Sequence, residues 1–396
     1  MKKSDLDAVL SGMLDSHPGI SDVLFTVGKP FQVESYGELK EVWMHPHVQK
    51  LTRRQTEMIA LNIIGRSRHL LRELVLHGAC DCSYAMDDGV RFRVNVFQQR
   101  GNFAVVMRKA QTDMPTLTSL GLTPIFGEMA RQKNGLILVT GATGSGKTTT
   151  LSAILNEINE TQAVHVVTLE DPIEFMHTHK RATFNQRELG MDFDTFPSGL
   201  RSALRQAPKV ILVGEMRDRA TVEIALTAAE TGHLVLSTIH TINAGQSINR
   251  ILGMFALAEE SQLRLRLSET VRFVVSQRLA PRIGGGRLLI NEIMGSNLRV
   301  REAIALGEGE GRNFYDIIEA NATFGWATFD QSLYRAYQAG LITEETADFY
   351  ATNKAKMTRF IDNVKKQRGL ATDGPTGLKL DLQAASYTPG SFRPGT

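Results

Sequence analysis

Eight consecutive residues have the composition and spacing of a phosphate-binding loop. Glycine occupies the first, fourth and sixth positions of segment 141–148, and Lys147 and Thr148 end it. Glycines let backbone N–H groups curl around a β-phosphate, and a following helix adds partial positive charge at its N-terminus. We expect Lys147 to bridge the β- and γ-phosphates of a nucleotide and the Thr148 hydroxyl to ligate Mg²⁺. The predicted nucleotide-binding residues are Gly141, Ala142, Thr143, Gly144, Ser145, Gly146, Lys147, Thr148 and Thr149.

Acidic residues follow two short apolar segments further along the chain. Segment 164–170 ends with Glu170 and is followed closely by Glu174. Segment 210–214 is followed directly by Glu215. One carboxylate near a γ-phosphate can position the attacking water, and another can hold the metal or its water ligands. Either acidic group alone is equally well explained as a cap of the next helix. Two such groups beside a phosphate-binding loop favour hydrolysis.

Two histidines flank a further apolar segment, with His233 at its start and His240 at its end. Ligands of open α/β sheets bind outside the carboxyl ends of the strands. His240 is therefore placed to donate a hydrogen bond to a γ-phosphate. His233 has the alternative role of a buried histidine with its hydrogen bonds satisfied.

The elements that would position these residues alternate between short strands and helices. The strand at 136–140 leads into the loop, and a helix-compatible stretch follows it, which argues against a glycine-rich turn that binds nothing. In segment 90–97 the period of two places Arg91 and Arg93 on the same face, opposite the apolar residues. A helix is predicted between about Arg53 and Leu76. The predicted strands cover residues 21–27, 31–35, 90–97, 102–108, 136–140, 164–170, 210–214, 233–239 and 288–294.

The chain divides into five predicted regions. Residues 1–110 form a mixed α/β domain, and residues 111–124 have the Pro, Gly and Thr content of a linker. Residues 125–296 alternate strands and helices, which indicates a parallel sheet covered on both faces. Residues 297–365 form consecutive helices, and residues 366–396 form a disordered basic tail.

The composition excludes several classes of protein. The 396 residues carry a formal net charge of +3, and segment 365–396 accounts for it with five basic and two acidic residues. The remaining chain is neutral, so a domain-wide basic field for nucleic acid is not expected. Two cysteines are too few for a disulfide framework or a four-cysteine zinc site. No signal peptide or membrane span is predicted, so export by that route is not expected and any membrane association must be peripheral.

Four linked motifs resemble those of secretion and type IV pilus ATPases. They correspond to the Walker A loop, the Asp box, the Walker B motif and the His box of that family. The resemblance covers residues 1 to about 365 and is closest to the twitching-motility retraction branch of PilT and PilU. The residues that carry it are GATGSGKT, TLEDPIEF, ALRQAPKVILVGEMRD and AAETGHLVLSTIHT, together with RFRVN and IGGGR.

This resemblance implies a PAS-like N-terminal domain joined to a RecA-like P-loop ATPase domain and a C-terminal helical region. It also implies a homohexameric ring at the cytoplasmic face of the inner membrane, which uses ATP and Mg²⁺ and acts on a pilus platform protein. Glu174 would be the base or water-positioning carboxylate and Glu215 would hold the metal, although the two roles could be exchanged. His233 and His240 fall on the His box.

The family's N-terminal domain also offers arginines to a nucleotide, in some cases one bound across a subunit boundary. The corresponding residues are Arg91, Arg93 and Arg108. Such an arginine accelerates phosphoryl transfer by roughly 10³ to 10⁵. The alternative is that these arginines are solvated on an exposed strand face.

Two departures from the family pattern favour the PilU branch. Where the family reads Arg-Glu-Asp-Pro-Asp, segment 205–209 reads Arg-Gln-Ala-Pro-Lys. The retraction motif Ala-Ile-Arg-Asn-Leu-Ile is Arg-Val-Arg-Glu-Ala-Ile at 299–304. The leading hypothesis is a hexameric ATPase motor for type IV pilus retraction, accessory to a PilT-type partner.

Three alternatives remain open. The chain could be mainly a nucleotide-binding coupling subunit whose own hydrolysis is secondary. It could instead be a pilus-assembly or secretion ATPase, although the four-cysteine zinc module of such enzymes is not expected here. A nucleic-acid motor is the least favoured, because it requires a basic channel or a stacking aromatic cluster.

Overall fold

The computed structural model describes residues 2–44, 48–110 and 113–368. Among these residues, no helix combines the length and the apolar composition that a membrane span requires. The predicted tail lies outside the described residues from position 369 onward, as do positions 111 and 112 of the predicted linker.

The N-terminal third of the chain forms a six-stranded antiparallel sheet with three helices. The strands follow the spatial order β3-β2-β1-β6-β5-β4. Helix α1 spans Lys3–Asp15, α2 spans Arg53–Ile64 and α3 spans Arg68–His77. The strands are β1 (Ile20–Phe25), β2 (Gln32–Ser35), β3 (Glu38–Glu41), β4 (Ala79–Ala85), β5 (Arg91–Gln99) and β6 (Asn102–Lys109).

The period of two predicted for segment 90–97 is confirmed. Phe92, Val94 and Val96 are buried in the N-terminal core, while Arg93 on the opposite face is exposed. The single helix predicted between Arg53 and Leu76 is wrong, because the chain forms α2 and α3 there. Gly65 ends α2 with a φ of 59°, and the Ser67 side chain caps α3 by accepting from the Leu70 N–H.

The second sheet has seven strands in the order β13-β12-β7-β11-β10-β8-β9. Neighbours are parallel from β12 through β7, β11, β10 and β8 to β9. Its strands are β7 (Gly135–Gly141), β8 (His165–Glu170), β9 (Thr183–Glu188), β10 (Val210–Val213), β11 (Leu234–Ile239), β12 (Val271–Pro281) and β13 (Arg287–Met294).

Helices cover this sheet, and its central strands are therefore buried throughout. All seven residues of β7 and all six of β11 are buried, as expected for parallel strands between two helical layers. The α/β fold class is confirmed. The helices are α4 (Ile125–Ala130), α5 (Lys147–Thr161), α6 (Phe196–Ala203), α7 (Arg219–Glu230), α8 (Ala244–Leu252), α9 (Glu260–Thr270), α10 (Leu298–Leu306) and α11 (Phe314–Ala320).

Four strands have no counterpart among the predicted ones: β3, β4, β9 and β12. Strand β9 has the sequence Thr-Phe-Asn-Gln-Arg-Glu, which lacks both a continuous apolar run and strict alternation. It forms because its backbone pairs with β8 over six residues, from His165↔Thr183 to Glu170↔Glu188. Tertiary pairing therefore decides its structure, and local pattern does not.

Three helices lie toward the C-terminus, namely α12 (Phe329–Gln338), α13 (Glu344–Tyr350) and α14 (Lys354–Gln367). The chain separates into two compact units, one containing the residues up to Leu279 with Leu289–Thr328, the other Ala280–Leu288 and the residues from Phe329. Helix α14 ends at Gln367, and the predicted region boundary at 365 stays a prediction. The predicted boundaries at 110, 124 and 296 stay predictions.

Candidate active site

The phosphate-binding loop leaves the end of β7 and enters α5. Gly141 has a φ of 145°, and a Cβ at this position would lie 2.5 Å from Ser145 Oγ and 2.6 Å from the Gln277 carbonyl oxygen. Only glycine fits there. Gly144 and Gly146 have φ values of 76° and 89°, and a Cβ at either would meet no atom within 4 Å. The loop backbone can thus be approached closely by a ligand.

Lys147 begins α5 and turns back over the loop. Its Nζ donates to the carbonyl oxygens of Gly141 and Ala142, at 3.0 Å each, and lies 3.4 Å from His240 Nδ1. Burial lowers the pKa of Lys147, and the charges of Glu215 and Glu174 oppose that effect. The loop, both predicted glutamates and the end of β11 therefore act on one ammonium group.

The other predicted loop residues line the same turn. Thr148 and Thr149 are half-buried in the first turn of α5. Ala142 and Thr143 are exposed. The Ser145 hydroxyl is buried, and no hydrogen-bond partner for it is present among the described residues.

Glu215 lies just beyond β10, and its carboxylate contacts one arginine and one histidine. Its Oε2 accepts from Arg217 Nη2 at 2.8 Å and lies 3.4 Å from His240 Nε2. Burial acts to raise the pKa of Glu215, but the hydrogen bond from Arg217 and the charge of His240 outweigh it, so the pKa is lowered. Glu215 is therefore a carboxylate at neutral pH, as a metal ligand or base must be.

The two glutamates of the Asp box have different environments. Glu174 is exposed, and its charge acts on Lys147. Glu170 is buried, and burial raises its pKa to about 7 although Thr168 Oγ1 and Gln186 Nε2 donate to it at 2.6 and 3.1 Å. Glu174 is thus open to solvent whereas Glu170 is not, and the water-positioning role of Glu174 stays a prediction.

The two His-box histidines lie at opposite ends of β11. His240 contacts both Lys147 and Glu215 at the carboxyl end. His233 lies at the amino end, where its Nδ1 is 3.0 Å from the Ala228 carbonyl oxygen. The six residues of β11 separate them by on the order of 20 Å. His233 does not join the loop of its own chain.

The three predicted arginines have three different environments. Arg91 is largely buried and pairs with Glu188, with Nη2 and Oε2 3.4 Å apart. Arg108 is 72% exposed and donates from Nε to Asp22 Oδ1 at 2.9 Å. Arg93 lies opposite Arg108 in the β5–β6 pairing and is exposed. The structure thus brings Arg93 and Arg108 together and holds Arg91 separately.

Several residues at this site were not predicted from the sequence. Arg217 is two residues from Glu215, so its place in the same loop was a usable signal. Gln277 closes over the loop and donates from Nε2 to Thr150 Oγ1 at 2.7 Å, but it lies in the unpredicted strand β12. A cavity of about 470 Å³ opens in front of Glu215 and His240 and is lined also by Arg217, Gln246, Asn249 and Arg250.

Comparison with known proteins finds one matching family and several similar pilus ATPases. The family described as "Type II/IV secretion system protein" matches residues 82–313. The type IV pilus retraction ATPase PilT of Pseudomonas aeruginosa is 38% identical over 329 residues, covering 83% of this chain and 93% of PilT. The type IV pilus ATPase PilU of the same organism is 35% identical over 330 residues, covering 83% of this chain and 84% of PilU.

A solved structure has the same fold along most of the chain. The crystal structure of the pilus retraction motor PilT with bound ADP superposes with a TM-score of 0.79 at 37% identity. The alignment covers 91% of this chain and 99% of that one. The similarity therefore extends over both sheets and is not confined to the nucleotide-binding loop.

Proposed function

Since the chain belongs to the type II/IV secretion system protein family, and within it to the PilT/PilU retraction ATPases, we propose that it is a motor that hydrolyses ATP to power type IV pilus retraction. As a P-loop ATPase it cleaves the β–γ phosphoanhydride bond. The contacts of Lys147 in the phosphate-binding loop of this chain support this function beside the similarity to its relatives.

The observation that carries the proposal is the convergence on Lys147 Nζ. The loop carbonyls and His240 contact this atom, and the charges of Glu215 and Glu174 act on it. A desolvated ammonium in a loop of open backbone N–H groups binds the phosphates of a nucleotide. The nearby carboxylates supply what hydrolysis requires besides binding.

Mg²⁺ fits the donor set at this site. The Thr148 hydroxyl and the ionised Glu215 carboxylate are oxygen ligands, which Mg²⁺ prefers. Within the described ranges no group of three or more His, Cys, Asp or Glu could hold a metal by itself. Mg²⁺ would therefore be shared between these residues and the phosphates, where it neutralises developing negative charge.

The remaining roles belong to protein side chains. Lys147 binds the phosphates, and Glu174 orients the attacking water and accepts its proton. His240 donates a hydrogen bond to the γ-phosphate and also contacts Glu215, so the contact with Glu215 depends on whether the γ-phosphate is present. The alternative exchanges the roles of the two glutamates. A Glu215→Gln variant should need more Mg²⁺ for half-maximal activity, whereas Glu174→Gln should not; the opposite result assigns the exchanged roles.

We propose a homohexamer at the cytoplasmic face of the inner membrane, accessory to a PilT-type ATPase and acting on the pilus platform protein. The altered segments 205–209 and 299–304 support a PilU-type role. The identities of 38% to PilT and 35% to PilU do not separate the branches.

Purified protein should be assayed for ATPase activity with and without a PilT-type partner, alongside pilus retraction under load. A PilU-type motor should give retraction force only with the partner, and Glu215→Gln should reduce that force. Full force with Glu215→Gln would instead support a coupling subunit. Autonomous retraction without a partner would assign the PilT role.

A further inference from the structure

One buried carboxylate outside the predicted site joins the two sheets. Glu188 ends β9, and its side chain is only 4% exposed. Its Oε1 accepts from the Ser83 N–H of β4 at 3.2 Å, and its Oε2 accepts from the Ile173 N–H at 3.2 Å. Oε2 also lies 3.4 Å from Arg91 Nη2 of β5.

The backbone of Glu188 is fixed, so these contacts constrain their partners. Glu188 pairs with Glu170 in the β8–β9 ladder, and its N–H donates to Asp192 Oδ2 at 2.8 Å. Burying a carboxylate is costly unless hydrogen-bond donors surround it. Two amides and one guanidinium, from three separate segments, meet that requirement here.

One of those segments carries the predicted water-positioning residue. Ile173 directly precedes Glu174, so the amide held by Glu188 sets where the Glu174 backbone begins. The other two donors, Ser83 and Arg91, belong to the N-terminal sheet. Glu188 thus links the position of that sheet to the loop beside the phosphate-binding residues.

Arg91 is the partner best placed to leave this link. Its Nη2 donates to Ser83 Oγ at 2.9 Å, while its buried Nε has no hydrogen-bond partner among the described residues. A cavity of about 340 Å³ is lined by Ser83, Arg91, Ile173 and Glu188. The arginine therefore has room to move without displacing the core.

We propose that Glu188 is a positioning residue that couples the N-terminal sheet to Glu174, with Arg91 as the movable partner; this inference rests on the proposed ATPase function. While Arg91 stays on Glu188, the Asp-box loop is held in place. A phosphate that recruits Arg91 takes the cation from Glu188 and breaks the contact of Arg91 Nη1 with Met176 Sδ, so the Asp-box loop is held less firmly to the N-terminal sheet. Arg91 then serves either the link or a nucleotide, never both at once.

The test compares Glu188→Gln with the wild type and with Glu344→Gln, a control that removes the remote pair with Lys365. Glutamine keeps the size of the side chain but loses one acceptor and the charge. We expect kcat to fall about tenfold with the ATP dissociation constant within twofold, since binding groups are untouched. Amide exchange in peptide 171–178 should quicken. Unchanged kcat and unchanged exchange would overturn the proposal.

A second variant covers the case in which Glu188→Gln does not fold. Arg91→Gln should also quicken exchange in peptide 171–178, whereas Arg93→Gln, on the same strand but exposed, should not change that exchange. In folded protein the kcat losses of Arg91→Gln and Glu188→Gln should not multiply, because both remove one contact. Multiplying losses, or equal exchange in both arginine variants, would contradict the link.

The proposed function and this link fail in different ways. If the wild type hydrolyses no ATP, the proposed function is wrong, and the exchange comparison still tests the contact between Glu188 and the loop. If ATP is hydrolysed normally and exchange in peptide 171–178 is the same in all variants, only the link is wrong.

Discussion

The residues at the carboxyl ends of the parallel strands make different contacts from the residues at the amino ends. At the carboxyl ends, His240 contacts both Lys147 and Glu215, so charged residues from three strands meet. At the amino ends, the His233 ring lies near the Ala228 carbonyl oxygen and the Thr231 hydroxyl, and the altered segment 205–209 lies before β10. We therefore expect substitutions from the family pattern at the amino ends to leave the geometry at the carboxyl ends unchanged.

The largest expected difference is between lysines at the two ends. Lys147→Ala should lower kcat/KM for ATP by roughly 10²-fold or more, because it removes a preorganised charge at the phosphates. Lys209→Ala removes an exposed lysine at the amino end and should stay within twofold of the wild type. Steady-state phosphate release measures both. Equal losses in the two variants would break the distinction between the ends.

The buried carboxyl at the end of β8 should make stability depend on pH. The pKa of Glu170 is raised by burial from 4.5 to about 7, so the folded state holds a proton that the unfolded state releases. This contribution is complete below about pH 4.5 and is lost as pH rises through about 7. It amounts to about 3 kcal/mol of unfolding free energy.

Glu170→Gln cannot titrate and should remove that slope. Urea unfolding should show the variant gaining up to about 3 kcal/mol over the wild type at pH 8, and little at pH 4.5. The exposed Glu223→Gln should follow the wild type at both pH values. Parallel curves for Glu170→Gln and wild type would show that Glu170 is not buried as a neutral acid.

The two histidines of β11 give a smaller difference. His240→Ala should lower kcat about tenfold, since it removes contacts to the charged Lys147 and Glu215. His233→Ala should lower kcat less than twofold, because its ring is bound near Ala228 at the far end of the strand. Rates at saturating ATP test this pair. A larger loss at His233 would point to a role in a neighbouring subunit.

The smallest expected effect concerns the backbone at the amino end. Ala207 has a φ of 51°, in the left-handed region that a non-glycine residue occupies at a cost. Ala207→Gly should raise the free energy of unfolding by about 0.5–1 kcal/mol with ATPase activity unchanged. Ala220→Gly, in helix α7, should lower it. Thermal unfolding separates the two; equal signs would remove the strain argument.

The convergence of Lys147, Glu215 and His240 could be predicted because each part of the sequence that places them is contiguous. A glycine pattern with Lys147 specifies the loop, and the strands before Glu215 and His240 are continuous apolar runs. Their convergence follows from one rule, that ligands bind beyond the carboxyl ends of parallel strands. The family assignment was accessible for the same reason, since the motifs are short and ordered along the chain.

The environments of the arginines could not be predicted in this way. Arg91 and Arg93 share a strand face, yet Arg91 pairs with Glu188, 97 residues away, and Arg93 stays exposed. Glu188 itself lies in β9, whose polar sequence gives no strand signal. A contact between distant segments depends on how two sheets pack, which local periodicity does not encode.

We propose that ATP held by the loop is cleaved with the help of Glu174. The most direct measurement is single-turnover hydrolysis by Glu174→Gln, with ATP affinity determined on the same protein. We predict an ATP dissociation constant within twofold of the wild type and hydrolysis slowed by about 10²-fold or more. Wild-type hydrolysis by this variant would contradict the claim.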